Sequence, residues 1–343
     1  MNVADDVAAA WGWSPSAIAP LAGGLINQTF CVRANGAPIA ALQRLHPLFG
    51  ADVNLDLEAV TAHVAARGMA TPRLVRTLDG RAWTEHDGQV WRATTWVDGE
   101  SVHAVPSVDW ARAGGELVGR FHRAVADLVY DYKFVRPGVH DVHKHLDALA
   151  QLAEQHAGDA SFADAIELAR EVADAARALP ELPADLPRRH IHGDLKISNL
   201  LFRRDPLRGV ALVDLDTLAR STLAFELGDA MRSWCNPHGE DAGRVHFELP
   251  LFAAAIGAFR GVADAIVTDV ERRSIATGAE TVPVGLAARF AADVFEDRYF
   301  GWDAARFPSR RAHNLIRARG QLALALSVRA ERAQLLDVVL ASA

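Results

Sequence analysis

The sequence predicts an α+β fold in two lobes: a small strand-rich N-terminal lobe with one helix, and a larger, mainly helical C-terminal lobe. Three observations predict it. Segments with strand-like alternation cluster between residues 17 and 97. Helical spacing of apolar residues dominates after Ser107. One strand–turn–strand segment interrupts those helices near Asp205-Pro206. The chain has 343 residues, and domains run about 100–200 residues, so two lobes or one large domain fit. The predicted division is 1–97 and 98–343.

In order, "QTFCVRA" alternates and meets Asn35-Gly36, a strong two-residue hairpin signal, which leads into "APIAALQRL". "DVNLDLEAVTAHVAARG" reads as a helix. Asp52 is its expected N-cap, Leu57, Val60 and Val64 recur at helical spacing, and Gly68 stops it. "RAWTEHD" and "QVWRATTWV" are strands around Asp87-Gly88. Ser107 is the expected cap of a helix whose stripe is Leu117, Phe121, Val125 and Leu128. Leu146, Leu149 and Leu152 begin another helix, and "SFADAIELAREVADAARAL" is a third, ended by Pro180. From Glu226 onward the chain reads mostly helical.

Half of the residues are hydrophobic, enough for a sizeable core. A net charge of −7 argues against nucleic acid as a partner, which usually calls for a basic face. Cys31 and Cys235 lack disulfide-framework or metal-ligand spacing. The acidic start "MNVADDVAAAWGW" lacks signal-peptide character, and no apolar run of about 18 residues stands out, so a cytoplasmic protein with no membrane partner is expected.

The chemistry-bearing stretch is "HIHGDLKISNLLF", followed by "VALVDLD". Asp194 and Asn199 lie five positions apart, and Asp214 follows Asp194 by twenty, at the end of a buried-looking strand. A hairpin between them brings the three side chains to one end of the lobe. Phosphoryl transfer needs this inventory: a carboxylate to accept the acceptor's proton, and oxygen ligands to hold Mg²⁺ against a triphosphate. Lys196 is either a phosphate contact or a surface charge. His192, two before the base, is expected to support the loop by hydrogen bonding.

H-G-D-L-K-x-x-N followed by V-D-L-D resembles the catalytic and metal-binding loops of kinase-fold enzymes. "HGD" and "DLD" resemble the aminoglycoside phosphotransferase and choline kinase-like branch. "GGLINQTF", "LQRL", "WRATTWVDG", "VDLDTL", "ELGDAMR" and "HNLIRARGQLALALS" together resemble N-acetylhexosamine 1-kinase and its relatives. The resemblance implies a protein-kinase-like fold with an antiparallel N-terminal sheet, and ATP and Mg²⁺ as cofactors. It implies Asp194 as catalytic base, Asn199 and Asp214 as metal ligands, and Asp216 as a group that orients metal or acceptor. "LAGGLINQTF" becomes the nucleotide-covering turn, with Gly23 and Gly24 admitting phosphate to the backbone and Asn27 contacting phosphate or acceptor.

One departure stands out. Kinase-fold enzymes carry a lysine on the third strand, paired with a helix glutamate. Here Ala41 and Gln43 share a face, so Gln43 takes the lysine position, Glu58 is the expected helix partner, and Arg44 is the nearest charge able to reach in through a bulge. Acceptor candidates are Asp229, Arg232, Arg289, Asp293, Tyr299, Asn314 and Arg317, with Asp229 equally suited to steadying the catalytic loop. The expected activity is transfer of the ATP γ-phosphate to a sugar hydroxyl, the anomeric hydroxyl of a hexose or N-acetylhexosamine. Kinases of an aminoglycoside or choline-like amine, and a silent nucleotide-binding protein, are the alternatives. The sequence leaves the oligomeric state open.

Overall fold

The computed structural model describes residues 5–21, 27–239, 241 and 245–341. The chain runs α1 (Asp5–Ala9), β1 (Ile18–Pro20), β2 (Gln28–Ala34), β3 (Ala37–Arg44), α2 (Val53–Ala66), β4 (Leu74–Val75), β5 (Thr84–His86) and β6 (Gln89–Thr95). These strands form one antiparallel sheet in the order β1-β2-β3-β6-β4, with β5 on β6. The expected hairpins form where Asn35-Gly36 and Asp87-Gly88 take positive φ, 51° and 81°, then 50° and 69°. "RAWTEHD" yields only the three residues of β5, and the two-residue β4 was not foreseen.

Period-two alternation gives the sheet two different faces. Phe30, Leu42 and Ala93 stand opposite one another and are buried with Val7, Trp11 and Trp91 under α1. Thr29, Gln43 and Arg92 stand opposite one another on the other face and line a cleft. The helix α2 starts where expected, but Asp52 is itself helical and its side chain caps nothing, so the capping expectation fails.

The second lobe continues with α3 (Val108–Ala124), α4 (Val142–Gln155), α5 (Ala163–Arg177), β7 (Arg189–Ile191), β8 (Leu200–Arg204), β9 (Leu207–Leu212), β10 (Ala219–Ser221), α6 (Leu223–Trp234), α7 (Leu249–Ala263), α8 (Asp269–Glu296), α9 (Arg310–Ala330) and α10 (Arg332–Leu340). Ser107 sits at the N-cap of α3 with extended backbone but makes no side-chain cap bond. Leu117, Phe121 and Val125 are buried as the stripe predicts, and Leu128 packs partly buried against them. β8 and β9 pair as the one expected hairpin, and a bridge from Glu100 to Phe202 ties the interlobe connection to it. One sequence expectation needs correction. Leu249–Ile266, which is α7 and the turn after it, is long and apolar enough to cross a membrane by length and composition. Its Leu251, Phe252, Ile256 and Phe259 belong to the main core, and Arg260 donates to the carbonyl of Ala341 at 2.6 Å, so the helix is docked within the lobe.

Candidate active site

The loop from β7 to β8 is held from beneath by two buried acids of α6. Glu226 accepts from the amides of His192, at 2.7 Å, and Gly193, at 3.0 Å. Asp229 accepts from the amide of Leu195 at 2.7 Å and from Arg232 Nε at 2.8 Å. Backbone donors on these carboxylates fix the loop with charge-assisted hydrogen bonds. Gly193 has φ +82°, and a Cβ there would stand 2.4 Å from the carbonyl oxygen of Thr217, so only glycine fits this crossing. His192 supports the loop: its Nε2 faces the Val213 carbonyl at 2.9 Å, and its Nδ1 accepts from the Asp194 amide at 3.3 Å.

Above these supports lie the three polar groups the sequence singled out. Lys196 Nζ is 2.8 Å from Asp194 Oδ2 and 3.8 Å from Asp214 Oδ2. Asn199 Nδ2 donates to the Asp194 carbonyl at 2.8 Å and to its carboxylate at 3.1 Å, which leaves the amide oxygen for another partner. Asp214 is left-handed, φ 62°, a conformation aspartate tolerates better than most residues. Burial raises the Asp194 pKa, but Lys196 and then Arg232 outweigh it and hold the carboxyl below its ordinary value. Asp214 moves the other way: burial and the neighbouring Asp216 and Asp194 carboxylates push it up against the pull of Lys196.

That crowding of carboxylates tests the fit of a cation. Among the described residues no cluster of three His, Cys, Asp or Glu side chains forms a ready metal cage. One carboxylate and one amide oxygen, beside space for phosphate, match the ligand set of Mg²⁺, which keeps waters and phosphate oxygens as its other ligands. A divalent ion at Asp214 would also offset the repulsion that raises its pKa.

Several assignments change. Glu58 does not meet Gln43; it makes a two-armed ion pair with Arg76, at 2.9 and 2.6 Å. Arg44 does not line the cleft, and the irregularity in β2–β3 pairing lies at Val32/Arg33, away from it. The cation beside Gln43 is Arg92, its cross-strand neighbour on β6, whose Nε and Nη2 reach Gln43 Oε1 at 2.9 and 2.8 Å. Arg92 also pairs with Asp216, both side chains about 1% exposed. Asn27 Nδ2 donates to Asp216 at 2.6 Å while its oxygen accepts from the His46 amide at 2.9 Å. Asp216, on the cleft wall, therefore has both carboxylate oxygens engaged by the N-terminal lobe. Asp229 is a loop support. Asp293 accepts from the amides of Arg298, Tyr299 and Phe300 and from Asn314, so both Asp293 and Asn314 shape a turn. Arg317 donates to the Gly301 carbonyl at 2.8 Å. Gly23 and Gly24 lie outside the described residues. Sequence reasoning missed Glu226 and Arg92. A charge inside the apolar strand "QVWRATTWV" was the available signal for Arg92, because a buried charge needs a partner.

Asp194, Lys196, Asn199, Asp214, Gln43 and Arg92 open on one cleft of about 2420 Å³ between the lobes. Its apolar lining includes Leu21, Ala41, Trp96, Val97 and Leu201, and its polar lining Arg136, His140, Arg289 and Tyr299.

The model of the phosphotransferase enzyme family APH matches residues 17–262. The chain belongs to this family. A homoserine kinase of Methylobacterium radiotolerans is 28% identical over 201 residues, covering 58% of this chain and 57% of that protein. One from Methylobacterium nodulans is 31% identical over 173 residues, 50% of each. The chain spans about half the length of these curated relatives. Among solved structures, a microcompartment-associated aminopropanol kinase has a TM-score of 0.64 at 15% identity, over 96% of this chain and 97% of that one. An amicoumacin kinase in complex with AMP-PNP, Ca²⁺ and Ami has a TM-score of 0.62 at 14% identity, over 93% and 91%. These two likenesses establish the protein-kinase-like two-lobe fold. The curated relatives named here are homoserine kinases, not the N-acetylhexosamine 1-kinases that the motifs resemble.

Proposed function

We propose that the protein is an ATP- and Mg²⁺-dependent kinase of a small alcohol, with Asp194 as the base that receives the hydroxyl proton. The observation that carries this reading is the Asp194–Lys196–Asn199–Asp214 constellation on a loop anchored by Glu226 and Asp229. A lowered pKa keeps Asp194 ionised near neutrality, as a proton acceptor requires. Lys196, within reach of Asp194 and Asp214, stands where a transferred phosphoryl group becomes most negative. Asn199 and Asp214 would hold Mg²⁺, which when bound neutralises phosphate charge. The apolar lining of the cleft suits a nucleobase and its arginines the acceptor.

The named relatives support an alcohol as acceptor: homoserine kinases, an aminopropanol kinase and an amicoumacin kinase. The sugar suggested by the sequence motifs is one member of that class. ADP release with ATP and Mg²⁺ across sugars, amino sugars, hydroxy amino acids, amino alcohols and aminoglycosides tests the reading. Turnover with at least one alcohol, absent in Asp194→Asn, is expected. Acceptor-independent ATP hydrolysis alone would contradict it. For a sugar that turns over, loss of activity in its methyl glycoside identifies the anomeric oxygen as the acceptor atom.

A milder effect is expected at Asn199. Asn199→Ala removes a neutral ligand and a donor to Asp194, so turnover persists while the Mg²⁺ concentration for half-maximal rate rises several-fold. An unchanged Mg²⁺ titration would remove Asn199 from the metal site.

A further inference from the structure

Two guanidinium groups in the cleft share one neutral acceptor. Arg136, in the segment before α4, donates to the Tyr299 hydroxyl oxygen, and Arg289, on α8, donates to the same oxygen at 3.2 Å. Arg289 also lies over the rings of Tyr299 and Phe300, at 5.6 and 5.4 Å. Among the described residues neither arginine forms an ion pair with a carboxylate. The acid one helical turn after Arg289, Asp293, has both oxygens engaged by Asn314 and the turn that carries Tyr299. Asp141, on the same wall, caps α4 through the Lys144 amide at 3.1 Å.

Two like charges held beside each other with only a neutral oxygen to share are unfavourable. Burial first, then Arg136 and Arg232, depress the Arg289 pKa. The Tyr299 oxygen already accepts two N–H groups, so its own hydrogen is free to donate elsewhere. Three donors thus face one space. The neighbouring His140, stacked on Phe225 at 3.8 Å, is pushed by burial down to about 4 and adds an uncharged imidazole at neutral pH. The space is continuous with the transfer centre, since Arg232 lies 4.0 Å from Asp194 and lines the same cleft.

We propose that Arg136, Arg289 and Tyr299 form a subsite for an anionic group, a carboxylate or a phosphate, carried by the acceptor, so that the preferred acceptor is a hydroxylated acid and not a neutral alcohol. This rests on the kinase reading for its location relative to the phosphoryl group. Arginine forks match planar carboxylates and phosphates, and charge-assisted bonds to them are about twice as strong as neutral ones.

The test uses the full chain and matched acceptors. One series is glucose, glucuronate and glucose 6-phosphate; the other is 3-aminopropan-1-ol and homoserine, which differ by a carboxylate. ADP release with ATP and Mg²⁺ gives kcat and KM. Binding of each compound to the AMP-PNP-loaded protein is measured separately by calorimetry. The member of each series that carries the carboxylate or phosphate is expected to bind about tenfold or more tightly than its counterpart without one, as a charged hydrogen-bonded group should. Carboxylate or phosphate preference shows which anion the subsite takes. Arg136→Gln and Arg289→Gln should each erase that preference while leaving the KM for ATP in place, which also reports that the variants fold. Tyr299→Phe, at a partly exposed side chain, should weaken it to a lesser degree. Equal binding of members with and without the carboxylate or phosphate, or a preference that survives both arginine substitutions, overturns the subsite. Binding of an acid that depends on Arg136 and Arg289, without ADP release for any compound, overturns the kinase reading and leaves the subsite standing.

Discussion

Asp194→Asn is expected to lower kcat by at least about 10²-fold, within the 10²–10⁴-fold range that a positioned base contributes. The substitution keeps the shape of the side chain and removes its capacity to take a proton. Its oxygen can still accept from Asn199, and the loop beneath it depends on Glu226 and Asp229, which are unchanged. Binding of AMP-PNP with Mg²⁺ should therefore change little. Asp214→Ala should behave differently, losing turnover and Mg²⁺-dependent nucleotide binding together, because its carboxylate meets a bound ion's charge directly. The two variants separate proton transfer from metal binding in one experiment. If Asp194→Asn retained more than about a tenth of the wild-type kcat, Asp194 would not be the base, given that range.

What the sequence made legible is what local geometry decides. The hairpins at Asn35-Gly36 and Asp87-Gly88 could be read because those dipeptides accept positive φ. Gln43 could be put on the cleft face because strands alternate with period two. The grouping of Asp194, Asn199 and Asp214 followed from one hairpin, β8–β9, returning the chain to its start. What stayed hidden depends on contacts between distant segments. Gln43 and Arg92 become neighbours only through the β3–β6 register, which no local pattern states. Glu58 and Asp56 look alike on α2. Yet Glu58 faces Arg76, while Asp56 accepts from the amides of Lys133 and Phe134 and the hydroxyl of Tyr130. Glu226 reads as an ordinary helix acid until the fold brings two loop amides onto it.

Arg92→Gln is expected to lower both stability and function, by separable routes. Arg92 and Asp216 form a buried ion pair that joins β6 to the turn Leu215–Thr217, directly after Asp214. Removing one partner of a buried pair costs about 3–5 kcal/mol, because the other charge stays buried and uncompensated. A clear fall in melting temperature follows. Asp216 would keep Asn27 as a donor but lose the guanidinium that meets its charge, and Gln43 would lose two donors. The loosened turn presents Asp214 less well, so the Mg²⁺ concentration for half-maximal rate should rise as well. Arg92 acts here as a positioning residue: its charge is neutralised by Asp216, so it does not simply stand in for a free strand lysine. Adding Asp216→Asn to Arg92→Gln removes both charges and keeps polar groups that can hydrogen-bond. The double variant should recover most of the lost stability, since a buried pair replaced on both sides is often close to neutral. The Mg²⁺ requirement should recover less, because the two-armed clamp between the lobes is not rebuilt. Gln43→Ala should resemble a weak version of Arg92→Gln, and Arg44→Ala should be milder than either, since Arg44 does not line the cleft. An Arg92→Gln protein with unchanged melting temperature and unchanged Mg²⁺ titration would show that this ion pair neither holds the lobes together nor sets the Asp214 turn.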